Sequence, residues 1–185
     1  VSGPIYGRFE GQEQRAVEVT VACGPEDRLY LGAKHQAADE SRTFKASSFS
    51  QLMDLPFLLS SRAKSAPFEA AGKPHEFVLF GKNEAAKAEP FAAASARIVK
   101  EAHAMFGSLP YERCVFFGDI MGGYGGLEHH SCCRMGFWSA GPESSLSLIA
   151  HEYFHAFNVK AIRPKSLVSP TFMDPPEVRT LWWLE

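Results

Sequence analysis

The stretch LIAHEYFHAFN, residues 148–158, sets two histidines and a glutamate inside an otherwise mostly apolar run. Ionisable groups among apolar neighbours need partners, so the chain must fold in a way that gives these three something to do. On a helix, His151 and His155 are one turn apart on the same face, with Glu152 on the flank. Two imidazoles at this spacing can hold one zinc ion, while the carboxylate one residue after the first histidine reaches the attacking water. The pattern points to metal-assisted hydrolysis.

The flanking residues favour the helix. Gly141 suits the N-cap, Pro142 the first helical position, and Glu143 the first turn, where the helix dipole favours negative charge. Leu148, His151, Glu152 and His155 then share one inward-facing stripe.

Bulk properties exclude several alternatives. A chain of 185 residues that is 45% hydrophobic buries a real core. The net charge of −2, with basic residues scattered, gives no footprint for nucleic acid or an anionic membrane. No run approaches 18 apolar residues and no leader follows Val1, so neither a membrane span nor an N-terminal targeting segment is expected in this sequence. Cys23, Cys114, Cys132 and Cys133 form no CxxC pair; read as reduced residues, with the adjacent pair pointing to opposite strand faces, they favour a cytoplasmic compartment. Nothing in the sequence fixes an oligomeric state.

Along the chain, AVEVTVA (16–22) alternates as a strand and RLYLG after a Gly-Pro-Glu-Asp turn reads as its hairpin partner. Residues 35–48 are polar and aperiodic, as in a loop or domain boundary. SSFSQLMDL forms a short helix capped by Ser47 or Ser48, and HEFVLFG (75–81) a strand. A long helix follows, with Phe91, Ala94, Ile98, Ala102 and Met105 on one face and Gly107 as C-cap. RCVFFGDIM (113–121) and LEHHSCCRMGFW (127–138) read as two strands joined by GGYGG, and EVRTLWWLE as a closing helix. His129 and His130 alternate across their strand and are assigned no metal role. The architecture expected is α+β, a β-rich N-terminal part (1–45, the end of a β domain) followed by a mainly antiparallel sheet packed on helices (46–185).

A catalytic zinc needs a third protein ligand. A third histidine in the HExxHxxGxxH manner is ruled out by Asn158 and Ala161, leaving the downstream carboxylates Asp174, Glu177 and Glu185. Glu185 is the best placed, since the apolar Leu181, Trp182, Trp183 and Leu184 would bury its helix against the first. The glycines of GGYGG admit a close backbone and leave a strand edge open to an extended peptide.

Together HEYFHAFNVKAIRP, GGYGGLEHHS and LWWLE resemble the glycyl aminopeptidase family of zinc metallopeptidases, in the gluzincin clan with aminopeptidase N and leukotriene hydrolase. The resemblance is dense from about residue 111 onward and faint before it; Phe157 stands where the family carries tryptophan. It implies the sheet-and-helix half of a thermolysin-like catalytic domain, with zinc on His151, His155 and Glu185 and Glu152 as the catalytic base. It implies that Glu128, with Gly125, Gly126 and Leu127, holds the substrate's N-terminus, and that the substrates are peptides beginning with small residues such as glycine or alanine. The family's chain continues past this glutamate into a helical subdomain with an oxyanion-stabilising tyrosine, so a fragment of low or no activity is expected. A catalytically inactive peptide-binding module on the same scaffold is the alternative.

Overall fold

The computed structural model describes residues 10–167, apart from 39, 83–84, 121–122 and 139–140. Among the described residues the chain builds two main hydrophobic cores, the first from a three-stranded and a two-stranded sheet and the second on a five-stranded sheet.

The first core rests on β1 (Val17–Ala22), β2 (Arg28–Leu31), β3 (His35–Ala38), β4 (Ser41–Ala46), α1 (Phe49–Met53) and β5 (Phe57–Ser60). β1 pairs with β4, not with β2, in the register Val17↔Ala46, and β2 pairs with β5. The segment expected to be a loop is therefore two strands, β3 and β4, of which β4 is the central strand. Its alternation was hidden by Arg42, which faces inward with Phe44 and Ala46. That buried guanidinium donates to the carbonyls of Ala38, Ser41, Pro25 and Asp27. Leu29, Leu31, Phe44, Ala46, Leu52 and Leu55 fill the core, with Val17, Val19 and Val21 packed against it. Ser48 caps α1 by accepting from the Gln51 N–H, as read from the sequence.

The second core lies beneath a five-stranded sheet of order β6-β7-β8-β10-β9, made of β6 (Lys64–Ala70), β7 (Lys73–Gly81), β8 (Cys114–Ile120), β9 (Gly125–Glu128) and β10 (Cys132–Phe137). It is mixed and not mainly antiparallel: β7, β8 and β10 run parallel, with β6 and β9 antiparallel at the edges. The parallel crossover from β7 to β8 is carried by α2 (Ala88–Phe106), which ends at Gly107 with φ 77°. The stretch 127–138 is two strands, because His129–Ser131 turn the chain back on itself. Gly118 is forced by packing: a Cβ there would lie 2.7 Å from Leu79 and 2.9 Å from Phe137.

α2 and α3 (Leu146–Phe154) cover the core around Phe77, Phe91, Phe116, Phe137, Ile149 and Tyr153. α3 opens with a 3-10 turn, Glu143–Ser145, preceded by Pro142, so the α-helix proper starts slightly later than Pro142 would suggest. Cys133 belongs to this core, whereas Cys132 belongs to a smaller cluster with Tyr30, Val78, Val115 and Phe117, so the adjacent cysteines do point to opposite faces. The cysteines are free thiols. No helix among the described residues is long and apolar enough to cross a membrane.

Candidate active site

α3 carries the HEYFH motif, and its packing decides what each residue faces. Leu148, Ile149 and Tyr153 are buried against the sheet, while His151 is exposed and Glu152 and His155 are 6% and 3% exposed. The Nε2 atoms of His151 and His155 are 3.1 Å apart, with the rings edge to face. Two nitrogens bound to one tetrahedral zinc at about 2.0–2.1 Å are roughly 3.3 Å apart, so the pair already has the spacing of a shared ion.

The second nitrogen of His155 fixes its chemistry. Its Nδ1–H donates to the Asn158 carbonyl at 2.9 Å, which leaves Nε2 with the lone pair. That bond exists because the helix widens past His155: Val159 and Lys160 N–H groups both donate to the His155 carbonyl at 3.0 Å, and Asn158 leaves helical geometry at φ −107°, ψ 88°. Phe157 is buried and stacks on Phe106 with centroids 4.2 Å apart.

β9 brings the glycine-rich stretch onto the same site. A Cβ on Gly126 would collide with the Glu152 carboxylate, so glycine is what lets the strand backbone lie against that side chain. Gly125 sits at φ +142° with open space where a side chain would be, and Leu127 is 54% exposed. Ligand atoms of Glu128, Glu152 and His155 lie within 4.8 Å of one another. β9 is the edge strand of the sheet, with β10 on one side and no partner on the other among the described residues. Thus His151, His155, Glu152, Gly126 and Glu128, chosen from sequence, are gathered in one place. Asp174, Glu177 and Glu185 lie outside the described residues.

Two networks behind the site escaped the sequence reading. Behind Tyr153, buried hydroxyls run to His75: Tyr153 bonds Tyr111, whose hydroxyl bonds His75 Nε2 at 2.9 Å, and His75 Nδ1–H donates to the Lys73 carbonyl at 2.9 Å. Burial lowers the His75 pKa to about 4 and pushes both tyrosines well above their usual value, so the chain is neutral throughout. Beside the site, Asp54 accepts from His129 Nδ1–H at 3.1 Å, the His130 N–H at 3.0 Å and Lys160 Nζ at 3.0 Å. Burial alone would raise the Asp54 carboxyl, but the bonds from His129 and Lys160 outweigh it and hold it below the ordinary carboxylate value. Neither network leaves a local signal, because the bonds between its side chains join residues 36 to 106 apart in the chain.

Residues 144–185 match the family model of the M61 glycyl aminopeptidases. The crystal structure of an aminopeptidase N family protein from Idiomarina loihiensis superposes on 95% of this chain with a TM-score of 0.83 at 25% identity. An M1 zinc metallopeptidase from Deinococcus radiodurans superposes on 75% of it with a TM-score of 0.47 at 15% identity. The chain spans 33% of the length of each of these structures. No curated protein matches it. By sequence over the motif-bearing segment and by backbone over nearly the whole chain, the comparisons support a glycyl aminopeptidase-type metallopeptidase.

Proposed function

We propose that the chain is the catalytic portion of a zinc-dependent aminopeptidase that removes small N-terminal residues, glycine or alanine, from peptides. The observation that carries this reading is the convergence of Glu128, Glu152 and His155 beside the His151–His155 pair, 3.1 Å apart. His151, His155 and Glu185 are the residues that would hold the ion. Zinc, when bound, supplies a Lewis acid that polarises the scissile carbonyl and acidifies a water. Glu152 takes the proton from the attacking water and returns it to the leaving amine. Its burial against Gly126 keeps it pointing at the strand on which a peptide would lie.

Glu128 gives the exopeptidase register. A protonated α-amine pairs with its carboxylate through a charge-assisted hydrogen bond, and a substrate without that amine leaves the carboxylate unpaired. The peptide extends along the free edge of β9, where the bare backbone of Gly125 and Gly126 offers hydrogen-bonding groups. The reading includes weak activity for this chain by itself, since it spans a third of the related structures.

Zinc-supplemented protein incubated with Ala- and Gly-initiated peptides should shorten them by one residue, as mass spectrometry would register, with no product from Glu152→Gln. Internal cleavage, or equal cleavage of N-acetylated peptides, contradicts the assignment.

A further inference from the structure

We infer that Asp54 is a positioning residue for amine recognition: its carboxylate fixes the turn that aims Glu128. The inference rests on the reading of Glu128 as the partner of the substrate's α-amine.

Glu128 closes a four-residue edge strand that contains two glycines, a backbone too adaptable to hold a carboxylate in one place without support. β10 supplies some, since Glu128 pairs with Cys133 and the His129 N–H donates to the Cys132 carbonyl at 2.9 Å. The rest comes from the first core. Asp54, directly after α1, grips the two residues that follow Glu128, the ring of His129 through Oδ1 and the backbone N–H of His130 through Oδ2. Gly32, directly after β2, lies so close to the backbone and side chain of Ser131 that a Cβ would collide with both. Val115 N–H donates to the Ser131 carbonyl at 3.1 Å, closing the turn from the side of β8.

The same Asp54 oxygen accepts from Lys160, in the segment whose N–H groups bond the His155 carbonyl. One carboxylate therefore spans the turn after Glu128 and the turn after His155. His129 is 8% exposed and the side chains of Asp54 and Lys160 are 21% and 16% exposed, so water competes little for these bonds. Asparagine at position 54 would set an amide donor against one of three donors, loosening the turn while preserving shape.

The test separates amine recognition from metal binding. Alanine hydroxamate, with a free amine, and N-acetylalanine hydroxamate are titrated by calorimetry into the zinc-loaded protein, into Asp54→Asn and into His129→Phe, which keeps the ring bulk but loses the bond to Asp54. The parent is expected to favour the free amine by about tenfold, and both variants to reduce that preference to about threefold or less with the affinity for the acetylated ligand unchanged. Should Asp54→Asn not fold, His129→Phe alone decides. A preference that survives in the variants, or equal weakening of both ligands, overturns the positioning role and leaves the aminopeptidase reading intact. No preference in the parent overturns that reading and this inference with it.

Discussion

Gly126 is the residue at which backbone and chemistry meet. Any Cβ there would overlap the Glu152 carboxylate, so Gly126→Ala must move either the strand or that carboxylate, the base of the proposed reaction. A displacement near 1 Å costs about 100-fold in rate. Gly126→Ala is thus expected to keep the thermal midpoint within a few degrees and to lower turnover of an alanyl anilide by about that factor, relative to the parent under the same zinc supply. His75 makes a prediction of the opposite kind, on stability alone. Its pKa falls from 6.5 to about 4 on burial, so between those values the unfolded chain binds a proton that the folded chain does not. Stability rises with pH across that window and is lost as pH drops from about 6.5 toward 4, by on the order of 3 kcal/mol. Urea midpoints measured from pH 7 to 4 should show this slope, and His75→Gln should flatten it.

The sheet shows why some elements were readable and others not. α2 and the motif helix follow a 3.6-residue apolar rhythm, so local sequence sufficed to find them, but not every facing: Met105, read onto the apolar face of α2, is 72% exposed while Val99 is buried, and His151, read as inward, is exposed. β4 failed because an inward arginine occupies a core position and is satisfied by carbonyls contributed from the β2 approach and the β3–β4 turn. The break between β9 and β10 failed because HHS carries no turn signature; Asp54, distant in sequence, captures the His130 N–H there. The direction of β7, β8 and β10 is set by the α2 crossover, a property of connection and not of alternation. Parallel strands buried on both faces are intolerant of added volume. Gly118→Ala, with Leu79, Phe137 and Phe77 at 3.0 Å or closer to the new Cβ, should cost about 1–3 kcal/mol, measured as a lowered denaturant midpoint with an unchanged slope.

The two cores of the molecule meet at the site. Asp54 from the first reaches His129, His130 and Lys160 of the second, and Gly32 packs on Ser131, so the part of the sequence where the family resemblance is faint still shapes the part where it is dense. The motif was legible as two imidazoles and a carboxylate brought together, with Glu128 beside them; what the sequence could not display was the support, which is assembled from side chains and carbonyls remote in the chain. A site held this way should exist before metal arrives. The two Nε2 atoms are already 3.1 Å apart, so metal binding needs little rearrangement of the rings.

Zinc titration followed by calorimetry measures stoichiometry and affinity together. One ion per chain, abolished in His151→Ala/His155→Ala, is the result expected. Unchanged binding in that double variant, or no binding by the parent at any zinc concentration, would contradict the assignment of this helix as a metal clamp.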